Sequence, residues 1–506
     1  MPPADHWALA VWTTIRLAVA SAAIATAIGV PSAWAAARVM TSTRPQRRRL
    51  GRWWVRSMTL AVALPLILHA AAWEATAGKF GWLMQTMTGG NLLWVAWAHG
   101  VHGAALVGLG TLWGTTRIDP LAIQHARLDF SPADRWWRVR LPIALPWVGL
   151  SAVGVMTIAA SEMSVADLHS VRTVADQFYL FYALDPDGTA LWVTTVVPVS
   201  LAVPLTWLWY VASRGPRVRS AAGAAATPSA PDAGQTVIAP RSKRSFFDFL
   251  PILGLAASFL LVLGVPLVGL LLKAGHTVVV IGGGREIRWS LASCIDSIAA
   301  APRLFADEYS WTLQLSLLTA GLVLLPAAGL ARCGRVRPCV AGWIDVTMMT
   351  LVLIPGPIIG VAIARVFTAD LPGFDRLATQ TLVPTILAAS VRAGVVAYAI
   401  FRRGFEQLDA PLWHAARLDG GNRWRVARVE LPLLLPTALL AFLAAAIVAS
   451  GDVAAVLPVI PPGVSTVGTR LFGLLHSGAR YQEASLAFWY LAGILAPLLF
   501  LRRATA

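Results

Sequence analysis

Two polar, arginine-rich intervals interrupt a strongly apolar chain, and they carry its most distinctive functional residues. The second, residues 414–436, has the sequence HAARLDGGNRWRVARVELPLLLP. The first, residues 124–146, has the related sequence QHARLDFSPADRWWRVRLPIALP. Pro432 follows Pro142 by 290 residues. A repeat at that distance predicts two copies of one module within a single polypeptide.

The residue types in these intervals favour protein docking over catalysis. The small side chains of Ala415 and Ala416 allow another protein to approach closely, and Gly420 permits a positive φ or a close contact. Pro432 lacks an N–H group and suits the first turn of the helix that follows. The arginines can pair with acidic groups of a partner or with lipid phosphates. Because a simple basic connector has no reason to repeat in sequence, we favour a docking role.

Two acids, Glu162 and Asp452, form a second repeated feature and are also 290 residues apart. Each follows the Leu-Pro of its interval by 20 residues, which corresponds to about 30 Å of helix. We therefore expect both carboxylates at the outer end of a helix. Two interpretations stay open: the acids flank the mouth of a pathway between the two copies, or they are interfacial residues in contact with water.

Three histidines, His69, His99 and His102, lie in apolar runs of the first half, where the sequence offers them no acidic partner. We interpret them as helix-packing residues.

Common catalytic and metal-binding patterns are absent from the sequence. There is no Gly-x4-Gly-Lys-Ser/Thr, no His-Glu-x-x-His and no Gly-x-Ser-x-Gly. The glycine run that begins at Gly282 is interpreted as a turn. Cys294 is far from Cys333 and Cys339, and three cysteines are too few for a typical structural zinc site. We therefore expect free thiols, no catalytic residues, no metal site and no cofactor.

The composition is that of a membrane protein. Of 506 residues, 57% are hydrophobic and 13% are charged, with a mean hydropathy of +0.66, whereas soluble domains carry about a quarter charged residues. The net charge of +16 could indicate nucleic-acid binding. The arginines, however, cluster in short gaps between apolar runs, as they do in cytoplasmic loops. We expect contact with membrane lipid and none with nucleic acid.

Apolar runs of about 20 residues predict spanning helices. We predict eleven spans, five in the first half and six in the second, at 8–37, 58–77, 92–113, 143–158, 191–211, 247–272, 311–331, 344–366, 382–401, 433–449 and 484–501. Seven arginines and no acid occur from Arg38 to Arg56, which places that loop in the cytoplasm, the N-terminus outside and the C-terminus inside. No basic region of a signal peptide precedes the first run, so we expect it to remain in the membrane.

One stretch rich in Ala, Pro, Ser and Gly divides the chain. Nothing in residues 214–246 can bury a core, and both ends of this stretch are basic. We predict a flexible cytoplasmic linker there. It would join a first unit at 1–213 to a second unit at 247–506.

The two units align beyond the polar intervals. Pro355 follows Pro65 by 290 residues, and Thr312 follows Thr14 by 298. Five shared spans, plus one extra leading span in the second unit, account for these spacings. The predicted fold class is an all-α polytopic membrane protein, whose two tandem units are related by a pseudo-twofold axis along the membrane normal.

The repeated intervals resemble the cytoplasmic coupling loop of ABC importer permeases, in which Glu-Ala-Ala-x3-Gly is followed about nine residues later by Ile-x-Leu-Pro. The corresponding residues are His414, Ala415, Ala416, Asp419, Gly420, Leu431 and Pro432 in the second unit, and Gln124, Ala126, Asp129, Leu141 and Pro142 in the first. His414 and Gln124 replace the glutamate, and Phe130 replaces the glycine of the first interval. The second interval is therefore the better match, and we expect the two loops to dock unequally.

The resemblance implies a transport subunit of the bacterial inner membrane, without enzymatic activity of its own. It implies two partners: a pair of cytoplasmic ATPase subunits, one per loop, and an extracytoplasmic solute-binding protein. In this family the loop forms a short helix parallel to the membrane, seated in a groove of the ATPase. The fused form and residues 460–478 resemble the ferric-iron permeases most, although thiamine, polyamine, phosphonate and sulfate systems share the architecture.

Two other classes of function remain alternatives. A secondary transporter driven by an ion gradient would need paired acids or broken helices at mid-membrane. A membrane-embedded enzyme would need a clustered His/Asp/Glu site, which the sequence does not suggest.

Overall fold

The computed structural model describes residues 4–77, 91–116, 118, 120–178, 249–281, 284–369, 372–408, 418, 423–477 and 480–504. Within these ranges the chain is helical, apart from short connections and one antiparallel hairpin. The prediction of a helical, polytopic membrane protein is confirmed. The predicted linker at 214–246 and the predicted span at 191–211 lie outside the described residues.

Eight α-helices are described in the first unit. They are α1 (Ala4–Met40), α2 (Pro45–Ala63), α3 (Leu66–Ala77), α4 (Asn91–Thr116), α5 (Pro120–Asp129), α6 (Pro132–Arg135), α7 (Leu141–Ser161) and α8 (Ser164–Leu168). A π-helical turn, Trp136–Arg140, joins α6 to α7.

The second unit begins with the extra leading span. It consists of α9 (Leu250–Phe259), a π-helical turn (Leu260–Gly264) and α10 (Val265–Ala274). The hairpin strands β1 (His276–Ile281) and β2 (Gly284–Trp289) follow, with His276 opposite Trp289 and Ile281 opposite Gly284. The turn predicted at Gly282 falls between these strands, and residues 282 and 283 lie outside the described ranges.

Helices α11 to α20 are the remaining described helices of the second unit. They are α11 (Leu291–Leu304), α12 (Ala306–Val336), α13 (Pro338–Leu353), α14 (Gly356–Phe367), α15 (Phe374–Gln380), α16 (Val383–Gln407), α17 (Arg423–Gly451), α18 (Val453–Val456), α19 (Val467–Ser477) and α20 (Arg480–Ala504). A 3-10 turn, Leu457–Val459, follows α18.

Seven helices in the described ranges are long and apolar enough to cross a membrane, or nine spans if each of two bent pairs counts as one. The predicted last span, 484–501, lies within α20. The total of eleven spans stays a prediction.

Two proline-containing breaks produce the bent pairs. The chain turns by 103° between α2 and α3, and by 97° between α13 and α14. Pro65 and Pro355 stand at these breaks and have no N–H group for a helical hydrogen bond. The preceding residues are extended, with ψ of 130° at Leu64 and 125° at Ile354, as is usual before proline.

The bends correct two predicted spans. Residues 58–77 and 344–366 do not form single straight helices, because each run contains one of these breaks. The helices also start earlier than expected, at Pro45 and Pro338, inside arginine-containing stretches that the sequence assigned to loops.

The two units share one packing arrangement. In the first unit α1 packs against α4 and α7, and α4 packs against α7. In the second unit the matching helices α12, α16 and α17 make the same three contacts. Between the units, α2 contacts α17 while α13 contacts α7. Helix α13 is the counterpart of α2, and α17 is the counterpart of α7, so the two contacts between the units are equivalent. A twofold relation between the units requires such a pair of equivalent contacts.

The extra leading span crosses to the first unit. Its helix α9 packs against α1, and α10 packs against α3 and α20. The indole Nε1 of Trp54 in α2 donates a hydrogen bond to Ser258 Oγ in α9, at 2.9 Å. The leading span therefore helps to hold the two units together.

Candidate functional site

The first of the two intervals with a predicted docking role, residues 124–146, is called the first docking interval. It contains most of α5, all of α6, the π-helical turn and the start of α7. Ser131 separates α5 from α6 and caps α6: its Oγ accepts the backbone N–H of Asp134 at 3.2 Å and donates to the carboxylate of Asp134 at 2.5 Å. A serine that accepts a backbone N–H in this way is a common start of a helix, and Pro132 is well suited to the first position of that helix. The short helix α5 is thus set apart from the membrane-spanning helix α7.

Most of the residues predicted to dock in the first unit face outward. Gln124, Asp129 and Pro142 are exposed, Leu141 is half-buried, and Ala126 is buried. Leu128, which the sequence did not single out, is 85% exposed in α5.

The second docking interval is only partly described. His414, Ala415, Ala416, Asp419 and Gly420 lie outside the described residues. Leu418 is 86% exposed, and Leu431 and Pro432 are exposed on α17. Pro432 lies within α17 rather than in its first turn, so that expectation is wrong. The arginine-rich run before it is already helical, and the helix tolerates the missing N–H.

Leu128 and Leu418 form a matched pair of exposed apolar side chains. They occupy the same place in the two copies of Ala-Arg-Leu-Asp, 290 residues apart. Among the described residues they are the most exposed large apolar side chains, and neither lies in a candidate membrane span. Burying a leucine is worth about 1.5–3 kcal/mol. The pair therefore presents two equivalent apolar contacts suited to a protein partner.

Glu162 ends α7 and caps the short helix α8. Its Oε1 accepts the N–H of Ser164 at 2.7 Å, and its Oε2 accepts the N–H of Val165 at 2.9 Å. The Nε2 atom of His99, on α4, lies 3.8 Å from Oε2. The half-buried carboxylate thus stabilises the break between α7 and α8.

Asp452 occupies the equivalent place between α17 and α18. Its Oδ1 accepts the N–H of Ala455 at 3.3 Å and lies 3.0 Å from Nη1 of Arg392 on α16. The Nη2 of Arg392 also donates to the carbonyl of Ile354 at 3.3 Å, at the bend between α13 and α14. Asp452 is only 7% exposed, so direct contact with bulk water does not describe it.

The helix breaks that carry these acids lie where the two units meet. A Cβ built on Gly451, the residue before Asp452, would be 2.5 Å from Cβ of Pro65. Met163, the residue after Glu162, packs in one apolar cluster with Ala454. Since Pro65 marks the bend of the first unit, each break contacts the opposite unit. Only glycine fits at position 451 without displacing that contact.

The three histidines come together in the first unit. The ring centroids of His69 and His102 are 5.3 Å apart, and His99 lies beside Glu162, so the expected lack of an acidic partner is wrong for His99. Nε2 of His69 and Nδ1 of His102 have no hydrogen-bond partner among the described residues. No group of three His, Cys, Asp or Glu there could hold a metal ion. All three cysteines are free thiols, as predicted.

A fourth histidine, His169, follows α8 outside the spans. Burial, together with the smaller effect of the nearby His99, lowers the pKa of His169 to about 4. The imidazole is therefore neutral at pH 7. Its Nε2 lies 3.9 Å from Oε2 of Glu74 without forming an ion pair at that pH.

The sequence reasoning missed a second repeated segment. The pattern Val-x-Thr-Val ends at Val174 and again at Val467, 293 residues later. The N–H of Val174 donates to Thr14 Oγ1 at 2.9 Å, and the N–H of Val467 donates to Thr312 Oγ1 at 2.7 Å. In both segments the threonine hydroxyl also accepts the N–H three residues on, at 3.3 Å. Each unit thus ties the segment beyond its helix break to its first shared helix, and the short repeat was the available signal.

Comparison with known proteins bears on the second unit. Residues 319–504 match the family described as "Binding-protein-dependent transport system inner membrane component". The match begins in α12 and ends in α20, so it includes the second docking interval and Asp452. None of the curated proteins matches the chain. The family match and the apolar helices together support a membrane permease component of an ABC importer.

Proposed function

We propose that the chain is a fused permease subunit that supplies both transmembrane units of an ABC importer. The first unit comprises residues 1–213 and the second residues 247–506, joined by a cytoplasmic linker at 214–246. The protein lies in the bacterial inner membrane with its N-terminus outside and its C-terminus inside. Separate ATPase subunits, two in number, hydrolyse ATP to drive transport.

The matched exposure of Leu128 and Leu418 carries this proposal. Both leucines lie in arginine-rich intervals on the side assigned to the cytoplasm by the distribution of positive charge. Both leucines lie outside the candidate spans, so their exposure does not belong to the lipid-facing side of a spanning helix. If one ATPase subunit bound each interval, the two subunits would together bury Leu128 and Leu418. Acidic residues of the ATPase would then pair with the arginines.

The solute is proposed to pass between the two units. The contacts of α2 with α17 and of α13 with α7 line the boundary between the units, and Glu162 and Asp452 lie at its outer end. In this role the two acids act chiefly by holding the helix breaks at the mouth. An extracytoplasmic binding protein would deliver the solute there.

Ferric iron is the proposed solute. The resemblance of residues 460–478 to the outer segment of ferric-iron permeases supports this choice. Thiamine, polyamines, phosphonates and sulfate are the other solutes to test, because selectivity in such systems belongs mainly to the binding protein. The ligand held by the binding protein encoded beside this chain would decide between them.

Removal of the apolar side chains tests the docking role. Leu128→Ser, Leu418→Ser and the double variant should reduce the ATPase that co-purifies with the chain from native membranes. Loss of about 1.5–3 kcal/mol at each contact corresponds to a ten- to hundredfold weaker association, at about 1.4 kcal/mol per factor of ten. Leu304→Ser is the control, because Leu304 is 58% exposed on α11, away from both docking intervals. Unchanged ATPase binding by the double variant would overturn the proposal.

A further inference from the structure

We propose that α12 transmits movement of the second docking interval to the outer segment of the second unit, with Arg332 and Arg335 as its positioning residues. This inference rests on the proposed function, since it takes the interval to be the contact with an ATPase. It adds the route by which movement at that contact reaches the outer segment. It also predicts that this route is stronger in the second unit than in the first.

Arg335 holds the end of α16, which leads into the docking interval. Its Nη1 donates to the carbonyl of Phe405, and its Nη2 donates to the carbonyl of Leu408 at 3.4 Å. Both carbonyls belong to the C-terminal end of α16, where backbone acceptors lack helical partners. A guanidinium is suited to this role because its planar fork donates several hydrogen bonds and its charge is favourable at a helix C-terminus.

Arg332 holds the helix that leaves the interval. Its Nε donates to Oε2 of Glu430 on α17 at 2.9 Å. Glu430 is 7% exposed, and it directly precedes Leu431 and Pro432. A buried carboxylate of this kind requires a charged partner, so the contact fixes the first part of α17 to α12.

The two arginines lie on one face of α12, because residues three apart on a helix are neighbours. Arg335 binds the chain before residues 409–422, and Arg332 binds Glu430, eight residues after them. The chain on both sides of residues 409–422 is thus attached to a single helix. A displacement of these residues should therefore act on the inner end of α12.

The outer end of α12 is attached to the segment that precedes α19. Thr312 Oγ1 accepts the buried N–H of Val467 at 2.7 Å. With 31 residues, α12 is about 46 Å long. It therefore connects a contact on the cytoplasmic side with the outer segment through one continuous helix.

The first unit has the outer connection but different residues at the inner one. Counted from Thr14, the positions equivalent to Arg332 and Arg335 are Trp34 and Ala37, which carry no guanidinium. The equivalent of Glu430, at an offset of 290, is Arg140. We therefore place the stronger mechanical connection in the second unit.

Spin labels at the outer end test this connection in the complex with the ATPase. Arg172→Cys and Pro462→Cys provide two exposed outer sites, one in each unit, in a background without the three native cysteines. ATP, Mg²⁺ and vanadate should change the distance between the labels when Arg335 is present. Arg335→Ala should reduce this change while the ATPase stays bound and continues to hydrolyse ATP. Arg335→Lys should restore it only in part, because lysine lacks the planar fork.

Two further variants keep the result decisive. Arg337→Ala is the matched control, since Arg337 is exposed two residues beyond Arg335, and it should retain the full change in distance. Arg332→Ala leaves Glu430 buried without its partner and could impair folding, so the swap of Arg332→Glu with Glu430→Arg is compared with each single change. The swap should recover the response that both single variants lose.

The outcomes separate this inference from the proposed function. A full nucleotide-dependent change in Arg335→Ala, with the ATPase bound, would overturn the role of α12 and leave the proposed function intact. Failure of the unaltered chain to bind any ATPase would overturn both.

Discussion

Asp452→Asn should destabilise the protein more than Glu162→Gln, although the two acids occupy equivalent positions. Both changes remove a negative charge and keep a side-chain oxygen that can cap the following short helix. They differ in the partner side chain that remains after the charge is removed. Asp452 faces the permanently charged Arg392 at 3.0 Å, whereas Glu162 faces His99 at 3.8 Å.

The burial of the charged groups sets the expected difference in the free energy of unfolding. The side chains of Asp452 and Arg392 are 3% and 19% exposed, and removing one partner of a buried pair costs about 3–5 kcal/mol. Arg392 keeps its hydrogen bond to Ile354 and some contact with water, so we expect the lower end, about 3 kcal/mol. Glutamine at 162 loses one of two N–H hydrogen bonds, which costs about 1 kcal/mol.

The free energy of unfolding in detergent micelles, measured by denaturant titration, provides the assay. Asp296→Asn is the control, because Asp296 is exposed on α11, and it should change the stability by less than either site variant. Equal losses for Asp452→Asn and Glu162→Gln would refute the reasoning, as would a larger loss for Glu162→Gln. Either result would mean that the Arg392 contact does not stabilise the break.

Three further predictions concern docking, transport and the outer segment. Gly420→Leu should leave membrane insertion normal but abolish solute-stimulated ATP hydrolysis. Phe130→Leu should lower this hydrolysis less, because that position is already bulky. An equal loss of hydrolysis in both variants would contradict unequal docking. In an uptake assay, Glu162→Gln and Asp452→Asn should each lower the transport rate, and unchanged rate and affinity in both would remove the acids from the pathway. Thr312→Val, which removes the acceptor for a buried N–H, should cost about 1–3 kcal/mol of unfolding free energy, and an unchanged stability would show that the outer segment is held by other contacts.

The repeat was the most informative feature of the sequence. Its spacing of 290 residues is enough to pair the docking intervals, the acids and the prolines. The structure places Glu162 and Asp452 in equivalent breaks at the ends of α7 and α17.

The sequence could not reveal the two helix bends or the partners of the two acids, and the physical reasons differ. Hydropathy sums over a run of residues and has no direction, so it could not show that Pro65 and Pro355 turn the chain by about a right angle. The contacts of Arg392 with Asp452 and of His99 with Glu162 join residues about 60 positions apart on different helices. Such pairs depend on how the helices pack, which local patterns do not specify.

The source of energy for transport tests the central proposal most directly. The purified chain, reconstituted in liposomes with its co-purifying ATPase and binding protein, should accumulate the solute that the binding protein carries. We predict that accumulation requires ATP on the side of the docking intervals, stops with vanadate and persists when ionophores remove ion gradients. Accumulation driven by an ion gradient without ATP, and insensitive to vanadate, would contradict the assignment and indicate a secondary transporter.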